Sequence, residues 1–184
     1  PKSEIGVMKK IISKATAAKD YGQLLAAEIR QAILWREISP DSLTPNVKRM
    51  ETEALKAKDP VLKAVRYAVL GKVYREVNGK KSEEFFKKAL EQPELLARNA
   101  STGYVPLTLK GVDGSSFNND LLHLIGFEAD SKEAYHLMYT YYNKVGNRGA
   151  ACLCAYKLIE KYRQDDVREV RKSKYLNTID SLIP

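Results

Sequence analysis

Along most of this chain, apolar residues recur at helical rather than strand spacing. Between residues 3 and 18, Ile5, Met8, Ile12 and Ala15 share one face, while Lys9, Lys10 and Lys14 fall largely outside it. Asp20 is placed to cap a second helix marked by Tyr21, Leu25, Ile29, Ala32 and Trp35, so the first two helices form a hairpin with a very short turn. The run SPDSLTP, residues 39–45, holds two prolines and a Ser/Asp cluster and reads as a break. A third helix is expected from Pro45 to Lys58, with Val47, Met50, Ala54 and Leu55 facing inward and Pro45 in its first turn. Asp59-Pro60 opens a fourth, expected to run to Val77 and to end at Asn78-Gly79.

The fourth helix carries two apolar stripes. Leu62, Val65, Val69, Val73 and Val77 form one, and the small residues Ala64, Ala68 and Gly71 form the other. A helix apolar on two sides is packed between neighbours, and small side chains let a neighbour approach closely.

A fifth helix is expected from Ser82 to Glu91 with Phe85, Phe86, Ala89 and Leu90, then a break at Gln92-Pro93 and a short helix in PELLARNA. Residues 101–118 read as one long irregular loop, with Val105 to Val112 as a short extended segment. Helix returns near Asn119 with DLLHLIGFEA and resumes at Ser131, where Ser131 and Ala134 frame a cap and Glu133 sits in the first turn. Gly146-Asn147 makes a tight turn before a helix with Ala150, Ala151 and Ala155 as small packing positions. The segment SKYLNTIDSLI is a last amphipathic stretch, with Leu176, Ile179 and Leu182 on one face and its natural partner expected beyond Pro184.

Trp35-Arg36-Glu37, Tyr74-Arg75-Glu76 and Tyr162-Arg163-Gln164 are expected to end three helices alike, at spacings compatible with degenerate hairpin repeats of about 40 residues. No strict tetratricopeptide signature accompanies them. The expected fold is therefore all-α: antiparallel helical hairpins stacked as a tetratricopeptide-like α-solenoid or right-handed superhelix. Residues 1–184 form a single helical domain fragment, with first hairpins over 1–100, the loop, and a second helical group over 119–184.

Composition changes this picture little. Of 184 residues, 44% are hydrophobic, enough for a core. No run of about 18 apolar residues exists to span a membrane, and PKSEIGVMKKIISK lacks both an initiator Met and the apolar stretch of a signal peptide. The expectation is a fragment whose leader, if it had one, has been removed. The net charge of +8 is uneven: residues 1–81 carry 17 Lys/Arg against 9 Asp/Glu, and residues 82–143 carry 5 against 9. A basic first part suits nucleic acid or another acidic partner. Acids interleave with the bases and no aromatic stacking motif accompanies them, so solvated helix faces are the favoured reading.

Candidate chemistry is sparse. There is no phosphate loop, nucleophile elbow, HExxH or EF-hand loop. His123 and His136 fall on separate expected helices; a metal site would need them to converge with carboxylates such as Asp120 or Glu128. Asp113-Gly114 reads as turn chemistry rather than a cation site. Glu83 and Glu84 are expected at a helix start, where they favour the helix dipole. Cys152 and Cys154 point to nearly opposite sides of one helix, which disfavours a disulfide, and both are expected as small core residues. Tyr135, Tyr139 and Tyr142 share a face and are the candidate partner-binding residues, against the plainer reading of inter-helix packing. The chain is expected to be no enzyme and to need no cofactor.

Several segments in order resemble a known family. They are IISKATAAKDYGQLLAAEIRQAILWREISPDSL, KDPVLKAVRYAVLGKVYRE, FFKKALEQPELLA, FNNDLLHLIGFEA and YYNKVGNRGAACLCAYKLIEKYR, with SPDSL, NDLLH (Asn119 to His123) and GNRGAA (Gly146 to Ala151) the most telling pieces. Together they resemble the helical N-terminal region of large alpha-2-macroglobulin-like proteins of Bacteroidetes-type bacteria. The resemblance implies an extracytoplasmic protein, periplasmic or anchored to the outer membrane, with macroglobulin-type β-domains downstream that trap or engage proteases. The reactive thioester of some members follows a CGEQ pattern; here Cys152 precedes Leu153 and Cys154, so no trapping chemistry falls on this stretch. The expected role is a non-catalytic helical scaffold or protein-interaction module, working on a protein partner or on downstream domains of the same polypeptide. A basic helical domain binding nucleic acid or another acidic partner is the alternative.

Overall fold

A computed structural model describes residues 2–38, 40–75, 77–102, 104 and 114–166. These form nine α-helices and no strand among the described residues: α1 Lys2–Ala18, α2 Tyr21–Ile38, α3 Pro40–Lys56, α4 Pro60–Tyr74, α5 Gly79–Ala89, α6 Pro93–Ala97, α7 Leu121–Ala129, α8 Lys132–Lys144 and α9 Arg148–Asp166. No described helix is long and apolar enough to cross a membrane. The all-α expectation therefore holds.

Local chemistry sets most boundaries. After α1, Lys19 takes a left-handed backbone (φ 56°), Asp20 N–H bonds Ala15 O at 2.9 Å and Lys19 N–H bonds Thr16 O at 3.2 Å. This pair of bonds is a Schellman closure, here with lysine in the position glycine usually takes. Asp20 then caps α2 by accepting from Gln23 N–H at 3.1 Å. Asp59 caps α4 through Val61 and Leu62, and Ser131 caps α8 through Ala134 N–H, both as expected.

Two boundaries differ from expectation. The break after α2 is shorter than the SPDSLTP run suggested: α3 already begins at Pro40 and carries Pro45 inside it. Pro45 is exposed, and without an N–H it cannot donate to the carbonyl four residues before it. Asn78-Gly79 does not end α4, which stops at Tyr74. Asn78 instead takes an extended backbone and caps α5 by accepting from Lys81 N–H at 3.1 Å, so α5 starts at Gly79 rather than Ser82. Val77 consequently leaves the α4 stripe and is 55% exposed. Glu83 and Glu84 lie beyond the first turn of α5, exposed, and not at its start.

The helix at the centre is α4. Every residue from Val61 to Tyr74 is at least partly buried, and α4 packs against α2, α3, α5 and α7. Val65, Ala68, Val69 and Leu70 join one core with Phe85, Phe86, Leu121, Leu122 and Met138. The small-residue stripe works as expected at Gly71, where the Phe86 ring of α5 approaches closely and Ser82 Oγ donates to Gly71 O at 2.7 Å. A Cβ on Gly71 would meet that ring at 2.7 Å. Gly126 of α7 makes the same kind of approach to Met138 of α8, whose Cε would lie 2.7 Å from an added Cβ.

Gly71→Ala should destabilise the fold by about 2 kcal/mol, since a close-packed ring has to move to admit one methyl group. Urea denaturation checks this, and Gly71→Ala combined with Phe86→Leu should recover part of the loss.

Candidate functional site

Among the described residues, a dense cluster of chemistry-bearing side chains sits where residues 99–101 meet residues 119–121. Ala100 and Asp120 form an antiparallel bridge: Ser101 N–H bonds Asn119 O and Leu121 N–H bonds Asn99 O, each at 2.8 Å. Asn118 and Asn119 both take left-handed backbones there, a conformation asparagine tolerates well. Between the loop and α7, Gly114–Phe117 form a 3-10 turn. Asn147, before α9, donates its side-chain amide to Ser116 O at 2.9 Å and accepts from Ala150 N–H at 3.2 Å.

Asp120 is the hub. Its carboxylate caps α7 by accepting from His123 N–H at 2.8 Å, and it lies 3.1 Å from His123 Nδ1. It also accepts from the Tyr142 hydroxyl of α8 at 2.8 and 3.0 Å. A carboxylate at a helix N-terminus is favoured by the dipole, and these donors make its burial tolerable. The Phe117 ring stacks on His123 at 5.1 Å and meets Tyr142 edge-on at 5.3 Å. Asp120, His123 and Tyr142 are 3%, 4% and 2% exposed. Burial and the Asp120 charge push the Tyr142 hydroxyl well above its ordinary range, and the same two causes push the buried Cys154 thiol up to about 12. A thiol held protonated in this way is a poor nucleophile.

The cluster is thus built to bind the loop base, α7, α8 and α9 to one another. A reacting substrate would need to reach groups that the surrounding helices cover.

The other residues singled out by sequence fall apart in space or point elsewhere. His136 is exposed on α8 while His123 is buried on α7, and no group of three or more His, Cys, Asp or Glu among the described residues is placed to hold a metal ion. Glu128 faces α4 instead, 3.4 Å from Lys72 Nζ and 3.2 Å from Arg75 Nη1; Arg75 also donates to the Glu128 carbonyl and lies over the Phe86 ring. Asp113 lies outside the described residues, as does the expected extended segment from Val105 to Val112. Cys154 is the core residue expected of it, but Cys152 is exposed. Two residues apart on a helix cannot both face one core.

Of the tyrosines, Tyr135 and Tyr142 are buried and Tyr139 is half-buried. The Tyr135 hydroxyl donates to Asp130 Oδ1 at 2.7 Å, and Lys161 of α9 pairs with the other oxygen at 2.8 Å. Burial, with Asp130 beside it, holds the Tyr135 hydroxyl well above its ordinary range. On this face a partner would therefore meet Tyr139, with the exposed His136, Thr140 and Asn143 around it.

A second polar cluster escaped the sequence reading. Glu28 and Gln31 of α2 are buried; Arg66 of α4 lies 3.8 Å from Glu28 and 3.9 Å from Glu53 of α3, and Arg49 donates to Gln31 at 3.2 Å. Arg66 Nε and Nη1 and Trp35 Nε1 are buried without a hydrogen-bond partner among the described residues. Desolvation raises Glu28 above the usual carboxylate range, more than Arg66 and Arg49 lower it. The spacing of Glu28, Gln31 and Trp35 on one helix face was visible, but α2 also carries Leu24, Leu25 and Ala32, which concealed it. Asp120 was likewise legible as a cap, three residues before His123.

No protein-family profile matches the chain, and neither does any curated protein or any solved structure.

Tyr142→Phe should cost about 1–2 kcal/mol, because it leaves a buried carboxylate one donor short; chemical denaturation with unchanged far-UV circular dichroism checks it. Glu28 supplies a pH test. With its folded pKa raised, its favourable contribution is complete below the ordinary value of 4.5 and is lost as pH rises through the raised value. Glu28→Gln should therefore gain stability relative to the parent as pH rises from 4.5 towards neutral, on top of a pH-independent cost of taking one carboxylate from Arg66, measured by melting at a series of pH values.

Proposed function

We propose that this chain is a non-catalytic helical scaffold or interaction module, its hairpins stacked as a tetratricopeptide-like solenoid. One observation carries the reading: the groups best suited to chemistry, Asp120, His123, Tyr142 and Cys154, are buried and bonded to or packed on one another where the loop meets α7, α8 and α9. Their role is cohesion. Sequential neighbour packing supports the stacking, with α1 on α2, α2 on α3, α3 on α4, α4 on α5 and α8 on α9, and with α2 also reaching α4.

The resemblance to the helical N-terminal region of alpha-2-macroglobulin-like proteins gives the module its setting. It belongs outside the cytoplasm, at the front of a longer polypeptide, and holds downstream domains or a partner protein. Tyr139 is the tyrosine through which a partner on the α8 face would be recognised.

The full reading frame tests the setting. A signal peptide upstream and macroglobulin-type β-domains downstream are the expected result; a stop codon directly after Pro184 would end that assignment. The α8 face is tested separately. Tyr139→Ala should weaken binding of a captured protein partner at least several-fold in titration calorimetry with unchanged far-UV circular dichroism, and unaltered affinity would remove Tyr139 from the interface.

A further inference from the structure

Where α5 gives way to α6, the packing on α4 opens. Near the end of α4 the Phe86 ring fills the space over Gly71, but nearer its start Ala64 and, on α5, Ala89 offer only methyl groups. A cleft of about 260 Å³ remains between the three helices. Lys63 and Tyr67, four residues apart on α4, share a face that lines it, and Lys88 and Gln92 line it from the α5–α6 corner. Ala64, Ala89 and Leu95 make the lining apolar between them.

Three donors in this cleft lack an acceptor. Neither Lys63 nor Lys88 makes an ion pair among the described residues, and the Gln92 side chain, at the N-cap of α6, makes no capping bond. Lys88 is nonetheless held in place, with its ammonium 5.2 Å from the centre of the Phe85 ring and 5.9 Å from that of Tyr67. Glu91 also lines the cleft but pairs with neither lysine, so two ammonium groups stand against one carboxylate. The volume is below the roughly 300–1,000 Å³ of pockets that enclose a small-molecule ligand, and it suits one or two side chains of a polypeptide. A nucleic-acid backbone calls for a longer track of cations than two lysines beside a glutamate.

We infer that this cleft binds an acidic, partly apolar segment of a protein partner. A carboxylate of the segment sits between Lys63 and Lys88 with Gln92 as a further donor, and an aliphatic neighbour packs on Ala64, Ala89 and Leu95. Charge-assisted hydrogen bonds to the two ammonium groups fix its orientation. The inference rests on the interaction-module reading and gives it a partner chemistry, at helices other than α8, which holds Tyr139.

Fluorescence anisotropy with the full chain and a fluorescein-labelled hexapeptide of alternating glutamate and leucine tests it, at about 0.15 M salt so that long-range attraction is screened. Saturable binding is expected, with none for the peptide in which lysine replaces glutamate. Lys63→Glu/Lys88→Glu should weaken binding at least ten-fold with unchanged far-UV circular dichroism, since neither lysine supports an ion pair within the fold. Lys9→Glu/Lys10→Glu changes the net charge equally, at two exposed residues of α1, and should alter affinity less than two-fold. Glu91→Gln should tighten binding about two-fold, a gain that a damaged fold cannot mimic. Absence of saturable binding, equal losses in the two charge-reversed variants, or weaker binding by Glu91→Gln would each overturn the inference. Displacement of the peptide by a lower concentration of mixed-sequence single-stranded DNA would also overturn it, assigning the lysines to nucleic acid. A failure here leaves the module reading standing, because binding through the Tyr139 face is measured separately.

Discussion

α4 has no exposed residue between Val61 and Tyr74, and most of the architecture follows from the need to surround it. Its apolar positions supply the hydrophobic driving force. Its polar ones create an obligation, because a charge removed from water requires a counter-charge or donors nearby. Arg66 finds Glu28 and Glu53 on α2 and α3, Lys72 finds Glu128 on α7, and the Tyr74 hydroxyl donates to Glu51 at 2.6 Å. Of its four neighbours, α2, α3 and α7 thus bring both a packing face and a carboxylate, while α5 brings the Phe86 ring and the Ser82 hydroxyl. The fit is uneven: around Arg66 the ion pairs are 3.8 and 3.9 Å long, and two of its nitrogens have no hydrogen-bond partner among the described residues.

The second organising element is the Asp120 hub. Residues 99–101 and 119–121 are far apart in sequence and have to be fastened to one another. The backbone bridge does part of this, and the buried carboxylate does the rest by joining α7 to α8 through Tyr142. Aromatic packing of Phe117 against His123, Phe127 and Tyr142 excludes water from the hub and strengthens its hydrogen bonds. The same burial that makes the cluster cohesive covers its acid and base groups, and this is the observation behind the proposed scaffold reading.

Helical periodicity, the Asp20, Asp59 and Ser131 caps and the two-sided stripe of α4 were all legible in the sequence, because each depends on residues within a turn or two of one another. The same locality explains why Gly71 could be recognised as a point of close approach before its neighbour was known. The boundary errors at Pro45 and Asn78 share one cause. Proline and Asn-Gly each permit two local structures, a stop or a start, and the choice between them is made by packing beyond the local segment.

What the tertiary structure alone decided is which helix faces meet and which polar side chains lie between them. The local sequence does not show that His123 is buried and His136 exposed, or that Glu128 rather than Glu133 meets cations from α4 and its C-terminal end. Burial gives the first of each pair its partners, Asp120 for His123 and the α4 cations for Glu128, and leaves the second exposed. The sequence by itself determined that the chain would be helical, where most helices would begin, and that α4 would lie inside. Only three-dimensional packing settled that Phe86 covers Gly71 and that Tyr142 reaches Asp120, because those contacts join positions whose separation along the chain carries no periodic signal.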